Sequence, residues 1–507
     1  MSTATIPTQT AKTEPCPLYI NGEWKHMDKC ETTPVYNPST GEVISQVPLC
    51  SDGIVDQAVA AAEAAFPAWS ETPPAERARV LFRFRHLVEA EFDDICLGIS
   101  REHGKTYAEA KGDLQRGLEQ TEYACGIPNL LMTDSLENVA RGIDCDSIRQ
   151  PLGVCAGIAP FNFPAMVPMW MWPLAIACGN TFIMKPSEKV PLTTNRLIKL
   201  LEKAGLPKGV LNIVHGGRDC VDALLKHPKI KAISFVGSTP VARYIYETGA
   251  KYGKRVQSAG GAKNFVLIMP DAEVEHSAQG IKDAAFGCAG ERCMAGSTAI
   301  AIGNAGKTVL PALVDVVKSM KVGRTDRPPQ QQPHMGAVIS SQHKSRVIDL
   351  VTQGEKQGAK LLVDGRNVKV DDAPEGFYIG PTIIDNLQDG NILTKEEVFG
   401  PVLNVLHSND LESAIQIANR SSYGNGAAIF TSSGKAAREF RHRVQAGMVG
   451  INVGVPATLA YFPFSGWGDS FFGDLHIQGK EGVAFYTKQK VITSRWFNFG
   501  EGDIWAK

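Results

Sequence analysis

The chain predicts an α/β fold of two doubly wound parallel-sheet domains, on three observations. From Pro151 onward, short β-branched runs at 154–158, 181–184, 210–214 and 233–236 each precede a helical segment, the alternation that builds a parallel sheet with helices on both faces. A second alternating region follows Ala262, with strands expected at 264–268 and near 299–302 and 402–405, and a helix over 275–286. At 507 residues the chain also exceeds what one core accommodates.

Taken in order, residues 1–16 read as a disordered leader, without the apolar stretch of a secretory signal and with no Arg before Arg77. Extended pieces follow from Leu18 and around Val43. Helical spacing of apolar residues then predicts helices over 56–62, 74–95 and 106–125. The polar stretch 129–149 carries strand-like fragments and reads as an excursion from the main body. The apolar run 163–178 is too short for a membrane span and is interrupted by Pro164, Pro168 and Pro173, which predicts a buried helix. Beyond Gly473 the pieces 483–487 and 490–492 look like strands without a core of their own.

Composition narrows the function. The 52 basic and 53 acidic residues leave a net charge of −1, no footprint for nucleic acid or a membrane surface, so the expected partner is a small molecule. The 11 Cys form no C-x-x-C pair and the 11 His no H-E-x-x-H, which argues for reduced thiols in a cytoplasmic compartment and for no metal.

Five stretches could carry chemistry. In 286–297 Cys293 lies among small residues directly after Arg292, whose positive charge would favour the thiolate; it is either a nucleophile or a small buried apolar residue. At 159–164 Asn162, just after Phe161, could cap a helix or donate to a developing oxyanion. At 182–188 a strand delivers Lys185 and Glu188 to the edge where α/β sheets bind ligands, to hold a ribose or simply to meet water. At 233–240 a strand turns through Gly237 into a helix capped by Ser238 or Thr239, whose free N–H groups suit a pyrophosphate, although G-x-G-x-x-G is absent. At 395–401 Glu397 and Phe399 precede a Gly-Pro turn that by composition alone is an ordinary loop.

In this order and at these separations the five stretches resemble the aldehyde dehydrogenase superfamily, over about residues 18–496. The resemblance implies an aldehyde dehydrogenase-like fold with a small β oligomerisation module. It divides the chain into an NAD-binding domain over 17–130 and 150–258, a catalytic domain over 259–470 and the module over 131–149 and 471–503. It also implies a homo-oligomer, tetramer or dimer. By the same resemblance Cys293 attacks an aldehyde, the Asn162 amide and the Cys293 N–H stabilise the oxyanion, and Phe161, Lys185, Glu188, Ser238, Glu397 and Phe399 bind NAD.

One departure is informative. Where hydrolytic members resemble E-L-G-G-K, this chain reads Ala259-Gly260-Gly261-Ala262-Lys263, so Ala259 stands where their Glu base would be. A methyl group takes no proton from water, so the thioester left on Cys293 needs another acceptor, and a thiol such as coenzyme A fits. The segments 261–264 and 290–295, with the tail pieces 485–487 and 492–496, resemble the CoA-acylating methylmalonate-semialdehyde dehydrogenases. That resemblance implies that Arg116 and Arg292 bind the substrate carboxylate, and that methylmalonate semialdehyde yields propionyl-CoA and malonate semialdehyde acetyl-CoA. Two alternatives remain at this stage: hydrolysis through another base such as Glu291, and an idle relative retained for binding. The segment 454–464 and the pair Gly296-Ser297 bear on substrate size.

Overall fold

A computed structural model describes residues 15–27, 29–388 and 390–496. The expected leader falls outside these except at its end, where the Cys16 N–H donates to the Gln46 carbonyl at 2.7 Å and the Cys16 side chain is buried.

Two sheets organise the chain. The eight-stranded sheet runs Glu23–Lys25, Leu18–Ile20, Leu211–Ile213, Thr181–Lys185, Val154–Ile158, Ile230–Val236, Arg255–Ala259, Phe471–Phe472. Its five central strands, Leu211–Ile213 through Arg255–Ala259, are parallel, whereas Leu18–Ile20 and Phe471–Phe472 join antiparallel at their edges. The seven-stranded sheet runs Lys360–Val363, Thr382–Asp385, Val402–Ser408, Thr298–Ile302, Phe265–Ile268, Gly426–Phe430, Met448–Ile451, parallel except at the Lys360–Val363 edge.

Why these strands read as unbroken apolar runs follows from their packing. Successive side chains of a strand point to opposite faces. In Val154–Ile158 the odd-face residue Cys155 joins one core while Val154, Ala156 and Ile158 join another. In Phe265–Ile268 the residues Val266 and Ile268 part in the same way from Phe265 and Leu267. Both faces of both sheets are covered by helices, as parallel sheets require. The apolar run holds the helix Met166–Ala177, every residue of it buried, Pro173 included, so no polar face was there to give it an amphipathic signature. Among the described residues no helix is long and apolar enough to cross a membrane.

Two expectations are corrected. The helix expected over 74–95 is two helices, Pro74–Ala90 and Phe92–His103, broken at Glu91. The Glu91 carboxylate meets Arg196 at 3.0 Å and Lys203 at 3.7 Å on the helix Pro191–Lys203, a partner the apolar period cannot register. The piece expected as a strand at 483–487 is mostly the helix Gly479–Phe485; Val483 and Phe485 are buried in the largest core, and Gly482 lies so close to Leu174 that a Cβ there would come within 2.7 Å of its side chain. The chain then forms Thr487–Arg495, which pairs with Ile143–Pro151, itself paired with Ser135–Ala140, in a separate three-stranded sheet.

Candidate active site

Cys293 follows the helix Val274–Phe286 and a 3-10 turn, Gly287–Gly290, and precedes the strand Thr298–Ile302. The turn is an unusual one. Cys288 and Ala289 both adopt left-handed backbone, φ 52 and 51, at a cost of roughly 1–2 kcal/mol each for residues with a Cβ. A side chain distant in sequence braces it: the Glu109 Oε1 accepts the Cys288 N–H at 2.5 Å. Gly287 is needed for a different reason, since a Cβ there would come within 2.3 Å of the Arg292 guanidinium. After the turn, the Asn264 and Asn425 amides both donate to the Cys293 carbonyl, each at 2.9 Å, which fixes the backbone under the sulfur.

Asn162 reaches the same place from the other sheet. The strand Val154–Ile158 ends just before it, and the helix begins only at Met166, so Asn162 is no helix cap. Its buried Nδ2 donates to the Glu291 carbonyl at 3.1 Å, two residues before the sulfur. A wholly buried ion pair holds this turn: the Lys105 ammonium lies 2.9 Å from Asp113 Oδ2 and donates to the Asn162 carbonyl at 2.8 Å, while Asp113 Oδ1 accepts the Met166 N–H at 2.7 Å. Breaking such a pair by removing one partner leaves an uncompensated buried charge, so the turn that presents the amide is tightly specified.

Three clefts meet here. Cys293, Arg116 and Arg292 line one cavity of about 440 Å³, closed on the apolar side by Phe163, Trp170 and Phe464. Phe161, Lys185, Glu188 and Ser238 line a second, of about 540 Å³, at the carboxyl ends of the central strands. Glu397 and Phe399 border a small third cleft with Arg292, Ala262 and Asn264, and the Phe399 ring stands edge-on to Phe161 at 5.8 Å. Nine of the ten singled-out residues thus line these three clefts, which are linked by Arg292 in the first and third and by the Phe399–Phe161 contact between the third and second; Asn162 lines none of them and donates instead to the Glu291 carbonyl beside Cys293. The Lys185 ammonium donates to the Pro186 and Gly216 carbonyls at 2.9 Å each and sits 3.6 Å from Glu188, and the Ser238 side chain makes no cap bond to the helix Thr239–Lys251 it precedes.

The electrostatics at the sulfur differ from the sequence expectation. Burial pushes the Cys293 thiol up to about 12, and the Glu397 carboxylate adds to the rise; N–H groups of Cys293 and Met294 oppose it, and Arg292 contributes least. Desolvation outweighs one neighbouring cation whose charge is shared with Glu109, 3.9 Å away, and with the Asp283 carbonyl at 3.3 Å. Alkylation of Cys293 by iodoacetamide is therefore expected to quicken about tenfold per pH unit from about pH 7 to about pH 10, because only the thiolate reacts. A rate already level at neutral pH, measured by mass spectrometry of the Cys293 peptide, would contradict this.

The carboxylates around the sulfur divide. Ala259 is buried at the end of its strand and pairs with Phe471. Glu291, the alternative base considered from sequence, is turned away: its Oε1 accepts the Ile339 N–H at 3.1 Å and lies 3.5 Å from His343, and burial raises its carboxyl to about 8. Glu397 accepts the Ala262 N–H at 3.1 Å over Gly261, where a Cβ would come within 2.4 Å of its carboxylate; burial raises it to about 7. No group of metal-ligating residues occurs among the described residues, and all 11 cysteines are free.

Sequence reasoning missed Glu109, Lys105, Asp113 and Asn425. For Glu109 a signal was present, since T-x-x-E is a capping-box pattern and Thr106 and Glu109 form that box at the start of the helix Tyr107–Cys125. Lys105 and Asp113 pair with each other eight positions apart, but their contacts to Asn162 and Met166, like that of Asn425 to Cys293, join residues far apart in the chain.

A model of the aldehyde dehydrogenase family matches residues 24–492. Malonate-semialdehyde dehydrogenase 1 of Geobacillus kaustophilus is 50% identical over 478 residues, covering 94% of this chain and 97% of that one. The malonate-semialdehyde dehydrogenase of Halalkalibacterium halodurans is 47% identical over 94% of this chain and 98% of its own. Among solved structures, the methylmalonate-semialdehyde dehydrogenase of Oceanimonas doudoroffii superposes with a TM-score of 0.93 at 47% identity, over 96% of this chain and 99% of that one. A candidate methylmalonate-semialdehyde dehydrogenase of Sinorhizobium meliloti, solved with NAD, gives a TM-score of 0.94 at 45% identity over 98% and 100%.

Proposed function

Because the chain belongs to the aldehyde dehydrogenase family, we propose that it oxidises and decarboxylates methylmalonate semialdehyde to propionyl-CoA, and malonate semialdehyde to acetyl-CoA, with NAD as oxidant and coenzyme A as acyl acceptor. The observation that carries this reading is a single cavity bordered by a thiol and two guanidiniums, Cys293 with Arg116 and Arg292. Guanidiniums bind carboxylates by paired, charge-assisted hydrogen bonds, so a carboxylated aldehyde is oriented with its carbonyl toward the sulfur. The names of the relatives support the same substrate class.

The residues of the second cavity suit a dinucleotide: an acid for a ribose at Glu188, the Lys185 ammonium, and the start of the helix Thr239–Lys251 with its N–H groups not taken up by Ser238. Glu397, Phe399 and Phe161 complete that site on the side of the sulfur. Bound NAD supplies the hydride acceptor.

The sulfur of Cys293 adds to the aldehyde carbon, and its proton leaves the site. The Asn162 amide and the Cys293 N–H carry the charge that develops on oxygen. Once the C–H bond has given up its hydride, an acyl group remains on Cys293 as a thioester. Its carboxylate, one carbon from the thioester carbonyl and released from Arg116 and Arg292, departs as CO2; the electron pair goes onto the thioester oxygen, where the same donors hold the enolate, and a proton then adds to carbon. The acyl group then passes to the thiol of coenzyme A, which frees Cys293. With Ala259 a methyl and Glu291 turned away, water has no base at either position.

Glu397 favours a second reading, hydrolysis to the free acid, because it is the carboxylate whose charge acts on the sulfur. Product analysis separates the two. Incubation with either semialdehyde, NAD and CoA is expected to give the acyl-CoA by mass spectrometry; free propionate or acetate in its place would overturn the CoA reading.

We also propose the domain division 17–130 with 150–258 for NAD, 259–470 for catalysis, and 131–149 with 471–503 for pairing of subunits in a cytoplasmic homo-oligomer. The outward exposure of Thr487–Arg495 and Ser135–Ala140 supports the last.

A further inference from the structure

Each of the two guanidiniums in the cavity has a carboxylate of its own, and the two pairs differ in kind. Glu109 is fully committed elsewhere: Oε2 accepts from the Thr106 N–H at 2.8 Å and its hydroxyl at 2.9 Å, and Oε1 from the Cys288 N–H at 2.5 Å. Arg292 stands 3.9 Å from that oxygen and is not captured by it. Glu119 has no such duty. One turn beyond Arg116 on the helix Tyr107–Cys125, its Oε2 receives the Arg116 Nη1 hydrogen bond at 2.9 Å, and both side chains border the cavity that holds Cys293.

Resting on the carboxylated-substrate reading above, we propose that Glu119 is an internal competitor for Arg116, a carboxylate that the substrate carboxylate must displace, and so a residue that sets KM for carboxylated against neutral aldehydes. The charges support displacement over a shared clamp. Asp113, the third acid of the cavity, is neutralised by Lys105 at 2.9 Å, which leaves Glu109 and Glu119 against Arg116 and Arg292. An incoming carboxylate therefore finds no surplus of positive charge unless one acid swings away. Glu119 is the acid able to do so: its side chain is 26% exposed and that of Arg116 38%, and ion pairs this open are weak. Arg292, whose Nη1 donates to the Asp283 carbonyl at 3.3 Å and which has no hydrogen-bonded carboxylate to give up, receives the substrate first, and Arg116 exchanges its partner second.

The test is the E119Q variant, assayed with malonate semialdehyde and with propanal. Removing a weak competing pair is expected to lower KM for the semialdehyde about two- to fivefold and to raise the ratio of kcat/KM for semialdehyde over propanal by the same factor. In an Arg116→Met background the same change is expected to have no effect on that ratio, which separates competition for Arg116 from a general structural effect. A semialdehyde KM that is unchanged or raised in E119Q, or an equal gain without Arg116, overturns the inference. Native enzyme that oxidises propanal but neither semialdehyde overturns instead the functional reading, and the inference with it.

Discussion

Replacing Cys293 by alanine is expected to abolish NADH formation with any aldehyde, a loss of roughly 10⁴- to 10⁶-fold, the scale seen when a covalent nucleophile is removed. The reason lies in how much is built around this sulfur. Two asparagine amides pin its carbonyl, the left-handed pair Cys288 and Ala289 aims the loop, and Asn162 is tied to the residue before Arg292. On the proposed mechanism the remaining residues bind substrate and polarise its carbonyl but form no bond to it. The variant should fold, because the Cys293 side chain is only partly buried against the largest core and alanine keeps its Cβ, and its thermal transition should lie close to the native one. Activity in Cys293→Ala within tenfold of native would show that another group attacks the aldehyde.

The second large effect is expected from Arg292→Met. A charge-assisted hydrogen bond to a carboxylate contributes about 1.5–3 kcal/mol, so kcat/KM for malonate semialdehyde should fall roughly 10- to 150-fold. Propanal, with nothing for the guanidinium to bind, should lose less than about tenfold, the part due to a loosened turn. The shape of methionine keeps contact with Gly287, over which the guanidinium packs. Steady-state kinetics on the two substrates decide the matter; an equal loss for both would mean that Arg292 serves the turn and not the substrate.

What was legible in the sequence follows a physical division. Strands such as Val154–Ile158, buried on both faces, announce themselves because burial forces β-branched and apolar residues at every position. The α/β class follows from these, and the family resemblance from the five motif stretches taken together. The break at Glu91 and the helix at Gly479–Phe485 were not legible, since the contacts made there, an ion pair to another helix and a glycine packed on Leu174, join residues distant in the chain. In the site, residue types showed which groups could react but not in what state. Arg292 beside Cys293 suggests a thiolate; burial, which no local pattern reveals, reverses that. Glu109 is visible as a helix cap, yet its bond to Cys288 spans 179 positions and emerges only from the fold. Glu291, offered from sequence as an alternative base, sits two positions from the sulfur, but only the fold shows its Oε1 accepting the Ile339 N–H.

On the proposed mechanism an acyl group on Cys293 waits for a thiol because no base readies water to release it. Rapid mixing of the protein with malonate semialdehyde and NAD, without CoA, tests it most directly. A burst of one NADH per Cys293 followed by near arrest is expected, with resumption when CoA is added. Continued NADH formation at the full rate without CoA, with free acid accumulating, would contradict it and would assign to Glu397 the role of base.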